Sequence, residues 1–119
     1  MSFNLDTDIA ESYKWKVLIN IPRDNSYIER SFQGRFALLD QDELLQMRDG
    51  NFAADDREMA GKVLIGWEGI KNEDGEEIQY SNEAKERLLN IPYVCHGVVV
   101  SFLESLSGAK QKNSNRRRK

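Results

Sequence analysis

The chain has a single cysteine, Cys95, a single histidine, His96, and only two prolines among its 119 residues. One cysteine cannot close an internal disulfide, which fits a reducing compartment. One cysteine and one histidine leave too few soft ligands for a structural zinc site. No apolar run approaches the length needed to cross a bilayer. The opening residues MSFNLDTDIAES carry no basic stretch followed by an apolar one, so they do not read as a secretory signal. The expectation is a cytoplasmic protein of one domain with one core.

What is present is charge, unevenly spread. The net charge is −3, but residues 109–119 hold Lys110, Lys112, Arg116, Arg117, Arg118 and Lys119 and no acid. The rest of the chain keeps 11 basic residues against 20 acidic ones, a net −9. The pattern is an acidic body carrying a basic segment that lacks apolar residues and reads as disordered. Residues 1–12 are polar and unpatterned and read as a flexible arm. Residues 13–108 form the expected domain.

Its first part alternates with a period of two. Tyr13, Trp15, Val17, Ile19 and Ile21 fall on one face, with Leu18 as the apolar exception on the other. Turn residues from Pro22 to Ser26 follow. Alternation resumes through Ile28, Arg30, Phe32, Gly34, Phe36 and Leu38, where Arg30 and Gly34 interrupt the apolar face and suggest a bulge or an edge. Two strands paired as an antiparallel hairpin are expected.

Helices come next. Asp40 and Glu43 have capping-box spacing before a short helix through Leu44, Leu45 and Met47, with Gly50 as its end. Asp55 and Asp56 suit the start of a second helix, whose apolar set reads Met59, Ala60, Val63, Leu64 and Trp67. That places Trp67 at a helix end. Asn72-Glu73-Asp74-Gly75 marks a tight turn between Ile70 and Ile78, either of which offers a third strand. Ser81 is a good N-cap, and Pro92 starts a new helix. In that helix Ile91, Val94, Cys95, Val98, Val99, Phe102, Leu103 and Leu106 form one apolar stripe, which Gly108 terminates. The fold class is therefore α+β: an N-terminal hairpin packed on three to four helices, the last one long.

Little of this can do covalent chemistry. Cys95 and His96 are neighbours on a helix and point about 100° apart, so they do not form a nucleophile–base pair. The acids around Gly75 lack the calcium-loop pattern. Gly61, Gly66 and Gly69 follow no expected strand and give no dinucleotide fingerprint. Neither a catalytic residue, a cofactor site nor a metal site is assigned. Tyr93, Gly97 and Val100 make a second apolar row beside the main stripe. Tyr93, Val100 and Trp67 are the candidate partner-binding residues, set against the simpler reading of ordinary core and boundary positions.

Three stretches in order, GWEGIKNEDGEEIQYS, then LLNIP, then SFLESLSGAK, resemble the tail assembly chaperones of long-tailed bacteriophages. That resemblance implies a non-enzymatic protein of a phage or prophage. It implies a partner, the tape measure protein, kept soluble while the tail tube forms, with the tail tube protein as a second candidate partner and a homo-oligomer as a further expectation. It further implies action in the bacterial host cytoplasm and absence from the finished virion. In some relatives a frameshift adds a longer product, and residues 111–119 lie where such an extension would attach. The rival reading is a small nucleic-acid-binding accessory protein that uses the basic segment, since clustered cations release counterions from phosphates. The acidic body opposes it.

Overall fold

The computed structural model describes residues 2–48 and 52–108. The first β-strand, β1 (Ser12–Arg23), and the second, β2 (Ser26–Ala37), pair antiparallel along their whole length, from Ser12 with Ala37 to Arg23 with Ser26. Asp24 and Asn25 alone make the turn. Asn25 takes φ 64°, a left-handed conformation that asparagine tolerates. Two helices follow, α1 (Gln41–Arg48) and α2 (Phe52–Val63), then β3 (Leu64–Glu68), α3 (Asn82–Leu89) and α4 (Pro92–Ser107). The sheet order is β1-β2-β3. This is the α+β arrangement expected: a hairpin with four helices, of which the C-terminal one is the longest.

The local signals act as the chemistry dictates. Asp40 and Glu43 form a reciprocal capping box: Asp40 Oδ1 accepts the Glu43 amide at 2.9 Å, and Glu43 Oε1 accepts the Asp40 amide at 3.3 Å. Ser81 Oγ accepts the Ala84 amide at 3.0 Å and caps α3. Pro92 opens α4, where a missing N–H costs nothing, and α4 runs off from α3 at 103°. Gly108 ends α4 at φ 79°, a conformation that would strain a residue with a Cβ. Near the N-terminus, Asn4 Oδ1 accepts the amides of Asp6 and Thr7 and makes a small turn before β1. The expected disordered segment 109–119 and the helix end at Gly50 lie outside the described residues.

Three expectations need correcting. The third strand is Leu64–Glu68, not a segment around Ile70 or Ile78, so Trp67 sits on a strand and not at a helix end. The reason is a bulge. Arg35 pairs with Gly66 and Phe36 with Leu64, which leaves Ile65 as an extra residue. The bulge shifts the alternation by one, so Leu64 and Trp67, three apart, both face the core and imitate helical spacing. Lys85 marks the real end of α2, its Nζ donating to the carbonyls of Gly61 at 2.8 Å and Leu64 at 3.3 Å, where a cation complements the helix dipole. Secondly, α2 begins at Phe52, before Asp55 and Asp56. Thirdly, Gly66 lies within β3 and Gly69 follows it, but the next helix waits until Asn82, so no phosphate-cradling strand–helix turn results.

Ile70 and Ile78 do face each other across a small hairpin. The Ile78 amide donates to Ile70 O at 2.7 Å, the backbones of Lys71 and Glu77 pair as an isolated antiparallel β-bridge, and Asn72 Oδ1 accepts the amides of Asp74 and Glu76. Trp67 fastens this hairpin to the sheet, its indole N–H donating to Ile78 O at 2.8 Å. The core lies between the sheet and helices α2 and α4. Val17, Phe36, Val63, Leu64, Val98 and Phe102 are sealed from solvent, and the Phe36 and Phe102 rings meet edge to face at 5.4 Å. The middle of the α4 stripe is buried, while its ends, Ile91 and Leu106, are exposed. Arg30 lies in the half of β2 that has no β3 partner, whereas Gly34 is central and packed against Val17 and Leu64.

Candidate partner-binding groove

β1 is an edge strand, and an open edge must be covered or blunted. α4 covers it. Ser101, almost fully buried, accepts the Leu18 amide on its Oγ at 3.3 Å. One turn earlier Gly97 lies directly against the Leu18 carbonyl, so that a Cβ there would stand 2.5 Å from the oxygen. At the other end the Tyr13 hydroxyl and Ser105 Oγ are 2.8 Å apart. Ser105 donates its own proton to Phe102 O, so Tyr13 is the donor of that contact. These contacts lay α4 antiparallel along β1. Pro22 has the same edge-facing parity as Leu18, so its lack of an N–H removes no ladder bond.

The hairpin tip extends past the start of α4 and leaves a trough of about 680 Å³ between them. Leu18, Asn20, Pro22, Tyr27 and Glu29 come from the outer face of the hairpin. Tyr93, His96, Gly97, Val100 and Glu104 come from α4. Tyr27 is 72% exposed, and Tyr93 and Val100 keep 37% and 38% of their surface. The trough thus offers two tyrosines, two prolines (Pro22 and Pro92), a leucine and a valine. The described residues lining it include two carboxylates and no lysine or arginine.

Of the three candidate partner residues, the structure brings Tyr93 and Val100 together in this trough and leaves Trp67 outside it. Trp67 is 9% exposed and stacks edge-on with Tyr80 at 5.0 Å. It borders a separate apolar crevice of about 130 Å³ with Ile70, Ile78, Leu88 and Ile91. Sequence reasoning missed Leu18, Pro22 and Tyr27. The signal for Leu18 was its break in the alternation: an apolar residue on a polar face.

Cys95 and His96 point apart. Cys95 is buried in the core, and its thiol pKa is pushed up, first by burial, then by the Asp56 carboxylate, with the Arg57 guanidinium partly offsetting both. A thiol held protonated is a poor nucleophile. His96 is exposed at the trough. Among the described residues no group of three or more His, Cys, Asp or Glu side chains is placed to hold a metal ion. No single helix among them is long and apolar enough to cross a membrane.

A family of prophage proteins, the YdaY prophage proteins, matches residues 34–118, well over half of the chain. The chain belongs to the YdaY prophage protein family. Comparison with curated proteins finds no match, and comparison with solved structures finds none. The YdaY match takes in β3, the small hairpin, α3 and α4, and it runs on through the basic segment. The trough of this YdaY protein therefore has its α4 wall inside the matched region and its β1–β2 floor before residue 34.

Proposed function

We propose that this prophage protein is a tail assembly chaperone. It binds amphipathic helical segments of a tape measure protein reversibly, in the bacterial host cytoplasm, and keeps that chain soluble while the tail tube forms around it. It performs no covalent chemistry and is not retained in the virion. The observation that carries this reading is the trough: Tyr27, Tyr93 and Val100 stay exposed beside Pro22 and Leu18, while the middle of the α4 stripe closes into the core. An exposed aromatic and aliphatic strip of this kind suits the apolar face of a partner helix. Glu29 and Glu104 at its rim favour a partner with basic flanks. Prophage membership and the three matching sequence stretches point the same way.

The test is co-expression with the tape measure protein of the same prophage. The client is expected in the soluble fraction only when this chain is present, and the two are expected to co-purify. If the client pellets equally with and without the chain and no complex is recovered, the reading fails.

A further inference from the structure

The chain before β1 carries apolar side chains that its own fold does not use. Residues 2–11 contain Asp6, Asp8 and Glu11 and no lysine or arginine. Their backbone is closed into a turn. The Asn4 amide donates to Asp8 Oδ2 at 2.8 Å, the Asp8 amide donates to Asn4 O at 2.9 Å, and Asn4 Oδ1 accepts the amides of Asp6 and Thr7. On and beside this turn stand Phe3 and Leu5, 68% and 71% exposed, with Ile9 exposed after them. Single exposed apolar residues are ordinary, but a phenylalanine, a leucine and an isoleucine this close together form a patch. Because the turn is already closed, little backbone freedom remains to be lost when the patch is covered.

The crevice beside α3 has the complementary size and charge. Its volume is about 130 Å³, and Trp67, Ile70, Ile78, Leu88 and Ile91 make its apolar lining. An apolar cavity of about 150 Å³ holds one benzene ring, so a single phenylalanine ring is an occupant of the right size. Among the described residues lining the crevice, Arg87 is the one charged group, and it is exposed. A guanidinium at the rim of an apolar slot suits a ring flanked by carboxylates, as Phe3 is by Asp6 and Asp8. The trough has the opposite preference: its charged lining is Glu29 and Glu104, which repel an acidic arm. Within one copy the two halves are not joined, since no arm residue lines the crevice and Phe3 and Leu5 stand in solvent.

We propose that the acidic N-terminal arm docks in the crevice beside α3 of a second copy of this chain, with the Phe3 ring in the slot and Arg87 facing the arm's carboxylates. Reciprocal exchange closes the contact, because each copy supplies one arm and one crevice. The association is weak and transient, since two short arms bury little surface. None of the residues lining the trough lines the crevice, so both troughs keep their lining in such a pair.

The experiment follows self-association of the full-length chain by sedimentation equilibrium from about 0.01 to about 1 mM, the range of a weak contact. Apparent mass is expected to rise with concentration towards that of two chains. Full-length Phe3→Ser/Leu5→Ser and full-length Arg87→Glu should each associate at least about tenfold more weakly. All three positions are exposed, so both variants should melt within a few degrees of the natural chain. Mixing the two variants should restore a pair, because one keeps the crevice and the other keeps the arm. With only the Phe3→Ser/Leu5→Ser chain isotope-labelled, its amide shifts at Ile70, Ile78, Leu88 and Ile91 should move when the Arg87→Glu chain is added. A natural chain that stays monomeric throughout overturns the proposal. Crevice shifts that differ between the natural chain and Phe3→Ser/Leu5→Ser but do not change on dilution overturn it too, since the arm would then fill its own crevice. Association that survives in both variants, or shifts centred on Tyr27 and Tyr93, overturns it equally. No client enters the experiment, so its outcome and that of the chaperone reading are independent.

Discussion

Gly97 of α4 sits so close to Leu18 of β1 that a Cβ on the glycine would stand 2.5 Å from the Leu18 carbonyl oxygen and 2.7 Å from Ile19 Cδ1. A real side chain there must push the helix off the strand edge. Gly61, in α2, has nothing within 4 Å of the same virtual atom. The two glycines therefore predict opposite signs for the same substitution. Gly97→Ala gains about 1 kcal/mol of helix propensity but incurs overpacking of about 1–3 kcal/mol against backbone, and the melting temperature should fall. Gly61→Ala keeps the gain, up to about 1 kcal/mol, and should melt roughly 4–8 °C higher. Thermal melts of the pair check this. Equal shifts would mean that α4 does not lie against the β1 edge.

The α4 stripe supplies a second prediction. Phe102 is sealed from solvent and meets Phe36 edge to face, so Phe102→Ala should cost about 3–5 kcal/mol through lost burial and the cavity left behind. Val99→Asp would bury an unpaired charge and should cost about 3 kcal/mol or more. A domain of this size has only about 5–15 kcal/mol to lose, so both variants should melt more than about 12 °C lower. Near-native melting of both would show that the stripe does not face the core.

The alternation in β1, the capping box at Asp40, the Ser81 cap, the Pro92 start and the Gly108 stop were legible because each is a local rule satisfied by neighbours in sequence. β3 was not. Its bulge at Ile65 gave Leu64 and Trp67 an i, i+3 spacing that belongs equally to a helix, and only pairing with Arg35 and Phe36 distinguishes the two. The trough was half legible. Tyr93 and Val100 were visible as a row on α4, but Tyr27 and Pro22 join them through tertiary placement of the hairpin tip, which no local pattern encodes. Trp67 read as a candidate partner residue because its spacing placed it at the end of a helix, where a large ring suits either the core or a partner. Its actual neighbours, Ile78 and Tyr80, lie across a turn.

Cys95 makes stability depend on pH. Its folded pKa is raised above the ordinary thiol value of 9.0, mainly by burial, so the unfolded chain loses the proton first as pH climbs. The thiol's contribution is fully present below the ordinary thiol range and is lost as pH rises from there towards the folded pKa. Denaturant midpoints should therefore fall more steeply above about pH 8.5 for the natural chain than for Cys95→Ala. Alkylation of Cys95 should also proceed only as fast as the fold opens. Parallel midpoints through that range, with rapid alkylation of the native protein, would contradict the burial of this thiol.

The basic segment invites a nucleic-acid test. Six cations alone would give measurable, salt-steep binding to DNA or RNA. The attached body has a net −9 and opposes the approach of a polyanion. We expect no binding of duplex DNA or single-stranded RNA by the full-length chain at physiological salt in fluorescence anisotropy. Micromolar affinity that falls steeply with salt and vanishes when Arg116, Arg117 and Arg118 are neutralised would place the nucleic-acid role above the chaperone role.

The trough itself separates binding from folding. Tyr93 and Val100 keep over a third of their surface, so Tyr93→Ala and Val100→Ala should leave the melting temperature within a few degrees of the natural chain. If the client's apolar face rests on them, the same variants should weaken client binding by about 1–2 kcal/mol each, roughly five- to thirtyfold, because exposed aromatics at the centre of a contact carry much of its energy. Trp67→Phe should behave the other way: it loses the hydrogen bond to Ile78 O and costs stability, while client affinity changes little. Titration of the client into each folded variant, with melting curves on the same samples, reads both quantities. Unchanged affinity in the Tyr93 and Val100 variants, together with a loss in Trp67→Phe, would move the binding surface from the trough to the crevice beside α3.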